Sequence, residues 1–60
     1  MSIKSILMKR DGMNEEEADD LIYAAKEQLF SYLAEGRADL AYGVCEEFFG
    51  LEPDYLDELI

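Results

Sequence analysis

Apolar residues in this chain recur at spacings of three and four, and glycines at positions 12, 36 and 50 cut that pattern into segments. A helix presents one face at such a spacing, whereas a half-buried strand alternates; no alternating run is present. The spacing predicts an all-α fold. Over residues 2–10, Ile3, Ile6 and Leu7 form one stripe, closed by Asp11-Gly12, with Gly12 suited to the left-handed position just past a helix. Asn14 is a good N-cap, and Glu17 three residues on completes a capping box. Glu15, Glu16 and Glu17 also place negative charge at the positive end of the helix dipole. Met13, just before the cap, is positioned to pack on Ala18 as a hydrophobic staple.

The long helix begun there runs to about Glu35 and stops at Gly36. Its stripe is Ala18, Leu21, Ile22, Ala25, Leu29, Tyr32 and Leu33. A third helix over residues 38–49 places Leu40, Val44 and Phe48 on one line and Ala41, Cys45 and Phe49 on the next. Gly43 inside it costs about 1 kcal/mol relative to Ala, which points to a close helix crossing. Pro53 suits the first turn of a last short helix over 54–60, with Leu56, Leu59 and Ile60 as its apolar residues. The architecture expected is a single helical domain over residues 1–60. It is a small bundle of three to four helices built on an antiparallel hairpin of helices two and three.

Sixty residues support only a marginal core, and a lone cysteine, Cys45, offers no internal disulfide to reinforce it. Tyr23 and Phe30 lie off the stripe of the long helix, and Tyr42 and Phe49 off that of the third. Two readings stand: half-exposed packing around a monomer, or a self-association surface in a homodimer, which the marginal core favours.

The composition closes most routes to catalysis. With no histidine, a Ser-His or Cys-His nucleophile pair is excluded, and Ser2, Ser5 and Ser31 have no base in a recognisable arrangement. So short a chain builds no pocket to push two carboxylate pKa values apart. Cys45, among Val44, Phe48 and Phe49, reads as a small buried hydrophobe; Glu46 and Glu47 are the wrong neighbours for a reactive thiolate. One Cys and no His exclude zinc, and no window has EF-hand spacing. Glu15/Asp19 and Glu16/Asp20 are i,i+4 pairs that a cation could bridge, but they read as a solvated acidic face. No catalytic residue, metal or cofactor is expected.

Fifteen acids face five bases, for a net charge of −10. Direct nucleic-acid binding needs Lys and Arg to release counterions, and anionic membranes attract basic segments, so neither is expected. No apolar stretch is long enough for a signal peptide or a span, and the expected compartment is a reducing cytoplasm. The first ten residues hold Lys4, Lys9 and Arg10 and no acid; residues 11–60 hold all fifteen acids against Lys26 and Arg37, a net of −13. Crowded like charge opposes a compact state. A small domain that keeps it uses it, either for solubility or as a helical lattice of carboxylates that imitates phosphates. The partner-binding candidates are Glu16, Asp19, Asp20 and Tyr23 on the long helix, with Tyr42, Glu46 and Glu47 on the third.

At Arg10-Asp11-Gly12, and at Asn14-Glu15-Glu16-Glu17-Ala18-Asp19 followed by Leu21-Ile22, the chain resembles a group of very short phage and prophage proteins. Gly50-Leu51-Glu52-Pro53-Asp54-Tyr55-Leu56 is similar to that group's ending, and these stretches cover about a third of the chain. The resemblance implies phage origin and an anti-defence inhibitor, similar to inhibitors of the Hachiman helicase–nuclease system or to anti-CRISPR proteins. It transfers no residue roles, because each motif is also explained as a cap or turn. The expected action is occlusion of a basic nucleic-acid-binding surface on a host defence protein, in the host cytoplasm. The alternatives are a phage accessory or assembly protein acting through helix packing, with acidity for solubility, and a transcription cofactor without its own DNA contacts.

Overall fold

In the computed structural model, which describes residues 2–60, four α-helices and a closing 3-10 helix follow one another: α1 (Ile3–Arg10), α2 (Glu15–Ala34), α3 (Ala38–Tyr42), α4 (Val44–Phe49) and the 3-10 helix Pro53–Glu58. Met1, part of the segment weighed as a leader, lies outside the described residues. No strand occurs among the described residues, and none of their helices is long and apolar enough to cross a membrane.

Local chemistry accounts for the boundaries. Ser2 caps α1, its side chain accepting from the Ser5 N–H. The capping box of α2 is complete: the Glu17 N–H donates to Asn14 Oδ1 at 2.8 Å, and the Asn14 N–H donates to Glu17 Oε1 at 3.1 Å. Gly36 closes α2 at φ +72°, and the Arg37 N–H then reaches back to the Tyr32 carbonyl at 2.8 Å, satisfying an orphan acceptor at the helix end.

After Gly36 the chain folds back, and α3 and α4 pack along α2 while α1 covers another part of it. The core is Ile3 and Leu7 of α1, Ala18, Ala25 and Leu29 of α2, Ala41, Val44, Cys45 and Phe49 of α3 and α4, and Leu59. Small residues at 18, 25 and 41 let the helices approach, and the larger side chains fill between them.

Several expectations need correction. The helix expected over 38–49 is broken at Gly43, whose backbone (φ −91°, ψ 1°) ends α3 and starts α4. No close crossing explains this glycine: a Cβ there would meet nothing nearer than the Leu40 carbonyl oxygen at 3.7 Å. Phe49, expected off the packing face, is buried, whereas Leu40 of the competing line is exposed. Ala41 of α3 and Cys45 and Phe49 of α4 point inward, joined there by Val44 of the competing line. Leu33, counted in the stripe of α2, is also exposed. Eight-residue α1 is about 12 Å long against about 30 Å for α2 and is tied by Lys4 to Glu15 and Asp19, so it does not reach that end. The last element is a 3-10 helix rather than an α-helix, and it ends at Glu58; of the two residues that follow, Leu59 is buried and Ile60 exposed.

Candidate functional site

The buried line of α2 dictates what its outer side presents. With Ala18, Ala25 and Leu29 turned inward, Glu16, Asp20, Tyr23, Glu27 and Phe30 follow one another outside at alternating steps of four and three, and all five are exposed. Tyr23 is 64% and Phe30 51% exposed. Among the described residues, Glu16, Asp20 and Glu27 have no cation within ion-pair distance. Three unneutralised carboxylates thus flank an exposed tyrosine ring, while beyond them Phe30 and Leu33 form an apolar end one turn apart.

Asp19 is different. Lys4 Nζ lies 3.2 Å from Asp19 Oδ1 and 3.2 Å from Glu15 Oε1, filling the bite that a cation could have bridged. Hydrogen bonds to Glu15 first and Asp19 second hold the Lys4 ammonium above its ordinary pKa. Arg10 spends its charge on the fold: Nη2 donates to Asp11 Oδ2 at 2.9 Å and to the Phe49 carbonyl at 2.6 Å, capping the end of α4. Its hydrogen bond holds the Asp11 carboxyl below the usual range. Two of the three bases near the N-terminus are therefore internal partners.

The remaining candidates fall elsewhere. Glu46 and Glu47 are exposed on α4, opposite buried Val44, Cys45 and Phe49. Tyr42, 65% exposed, borders a groove lined by Pro53, Asp54, Leu56, Asp57 and Ile60, to which no α2 residue contributes. Glu16, Asp20 and Tyr23 are brought onto one face, and Tyr42 is not part of it. Sequence reasoning omitted Glu27, although extending the three-four spacing along the back of α2 would have found it. Asp54 and Asp57 were missed because their grouping with Tyr42 depends on the tertiary fold.

Burial pushes the Cys45 thiol above its ordinary pKa, with the Glu58 charge as a second cause, so it is not a poised nucleophile. Among the described residues, no three His, Cys, Asp or Glu side chains converge as metal ligands would. No family model, curated protein or solved structure matches this chain.

Proposed function

We propose that this chain is a protein-binding inhibitor that docks its acidic α2 face on a basic nucleic-acid-binding surface and keeps nucleic acid out. The carrying observation is the run of exposed, unneutralised Glu16, Asp20 and Glu27 around Tyr23. Along a helix rising 1.5 Å per residue, Glu16 and Asp20 are about 6 Å apart and Asp20 and Glu27 about 10 Å. That spacing is sparser than the one charge per about 1.7 Å of duplex axis, so the imitation is coarse. The tyrosine ring supplies contact area that charge alone does not, since exposed ion pairs contribute only about 0–1 kcal/mol each. Together with the likeness to short phage and prophage proteins, this makes a host defence protein the partner and the host cytoplasm the place of action.

The exposed Phe30 and Leu33 favour a second element of the reading, a homodimer joined at the Gly36 end of α2. Joining there keeps the acidic halves of two copies apart, which limits their repulsion.

The test is a phage challenge of bacteria that each carry one nucleic-acid-targeting defence system. Expression of the chain restores plaque formation against one system. A variant with Glu16, Glu27, Glu46 and Glu47 changed to Gln and Asp19 and Asp20 to Asn stays folded and does not restore it. Glu17 is left alone because its cap would confuse folding with binding. If the neutralised variant protects as well as the parent while folded Tyr23→Ala does not, apolar docking replaces mimicry and the assembly-protein reading takes over. Absence of protection against every system overturns both the target class and the inhibitor reading.

A further inference from the structure

The groove between the end of α3 and the 3-10 helix combines two features. Tyr42 and Ile60, 65% and 78% exposed, are the two most exposed large apolar side chains among the described residues, and both line it beside Pro53 and Leu56. Asp54 and Asp57 line the same groove, are exposed, and have no ion-pair partner among the described residues. The nearest basic residue in sequence, Arg37, is directed to Asp39 at 3.9 Å and does not line the groove. An open aromatic ring beside the aliphatic side chains of Leu56 and Ile60 calls for aliphatic and planar contact; two free carboxylates call for a cation. Arginine unites these needs. Its methylene stem covers apolar surface, its guanidinium plane stacks on a ring, and its fork of donors matches a carboxylate. Lysine offers the stem and a charge but neither the plane nor the fork.

We propose that this groove is a docking site for an arginine side chain of the partner protein, held by Asp54 and Asp57 with its guanidinium stacked on Tyr42. The inference rests on the reading of the chain as a binder of basic protein surfaces, and it adds a second anchor separate from the α2 face. Charge gives α2 its long-range attraction, and the groove gives the contact its selectivity for one kind of basic residue.

The test follows backbone amide NMR signals while a blocked glycine-arginine-glycine peptide is added, with lysine and citrulline counterparts as controls. Citrulline keeps the shape of arginine and removes its charge. The expected result is a set of shifts centred on Tyr42, Asp54, Leu56, Asp57 and Ile60, at least threefold weaker binding of the lysine peptide, and no binding of the citrulline peptide. Asp54→Asn with Asp57→Asn weakens the arginine peptide at least tenfold while the signals of α1 and α2 stay in place. Tyr42→Ala, at an exposed position, also loses binding, and Tyr42→Phe retains it. Shifts confined to the α2 face, equal binding of the lysine peptide, or no shifts at all overturn the groove. The variant of the phage challenge, neutralised at Glu16, Asp19, Asp20, Glu27, Glu46 and Glu47, keeps peptide binding in the groove, so a failure of the α2 reading in the phage challenge and a failure here are read separately.

Discussion

Burial gives Cys45 a measurable signature. Its folded thiol pKa lies above the unfolded one, so this residue's contribution to stability is present in full below the ordinary thiol range, about pH 8.5. The contribution is lost as pH rises through the folded value. In native protein at about pH 8, iodoacetamide should therefore label Cys45 only as fast as the chain unfolds, and in denaturant at once. Rapid labelling of the native protein would contradict the packed position. Asn14 and Glu17 were legible as a capping pair because all their partners lie within three residues. The Arg10 bond to the Phe49 carbonyl and the bond from the Ile3 N–H to Glu58 Oε1 at 2.9 Å were not, because they span 39 and 55 residues. No local pattern marks an acceptor that only the folded chain brings near.

At the scale of elements, two glycines carry opposite demands. Gly36 holds a positive φ that an alanine adopts only with strain, whereas Gly43 has an ordinary φ and room for a Cβ. Gly36→Ala should cost about 1 kcal/mol. Gly43→Ala should stabilise by about 0.5–1 kcal/mol by restricting the unfolded chain and favouring helix across the break. Thermal melts followed by circular dichroism measure both, and at about 4–8 °C per kcal/mol the shifts are resolvable and of opposite sign. The ends of α1 and α2 were legible from caps and glycines. Which line of residues 38–49 faces inward was not, because Leu40-Val44-Phe48 and Ala41-Cys45-Phe49 have the same period. Neither line wins whole: the fold buries Ala41, Cys45 and Phe49 together with Val44, and leaves Leu40 exposed.

For the whole molecule, net charge and apolar surface pull in different directions as salt is varied. Two protomers of charge −10 repel, so screening should tighten a dimer joined at Phe30 and Leu33, while the same screening loosens an acidic face from a basic partner. Light scattering at micromolar concentration should report about twice 6.9 kDa, with the dimer fraction rising toward about 0.5 M salt and Phe30→Glu giving a monomer. A mass that stays monomeric at every concentration and salt would overturn the dimer. The stripe of α2 was readable from spacing, but the groove at Tyr42 was not, since its two walls come from segments at least eleven residues apart that meet only in the fold. The bond joining Ile3 to Glu58 has a topological consequence: the start of α1 and the end of the 3-10 helix lie side by side. A short glycine linker across that junction, with a new opening in the exposed turn after Gly36, would reorder the helices along the chain while preserving their neighbours in space. The order in which these helices are synthesised is then separable from the arrangement in which they pack.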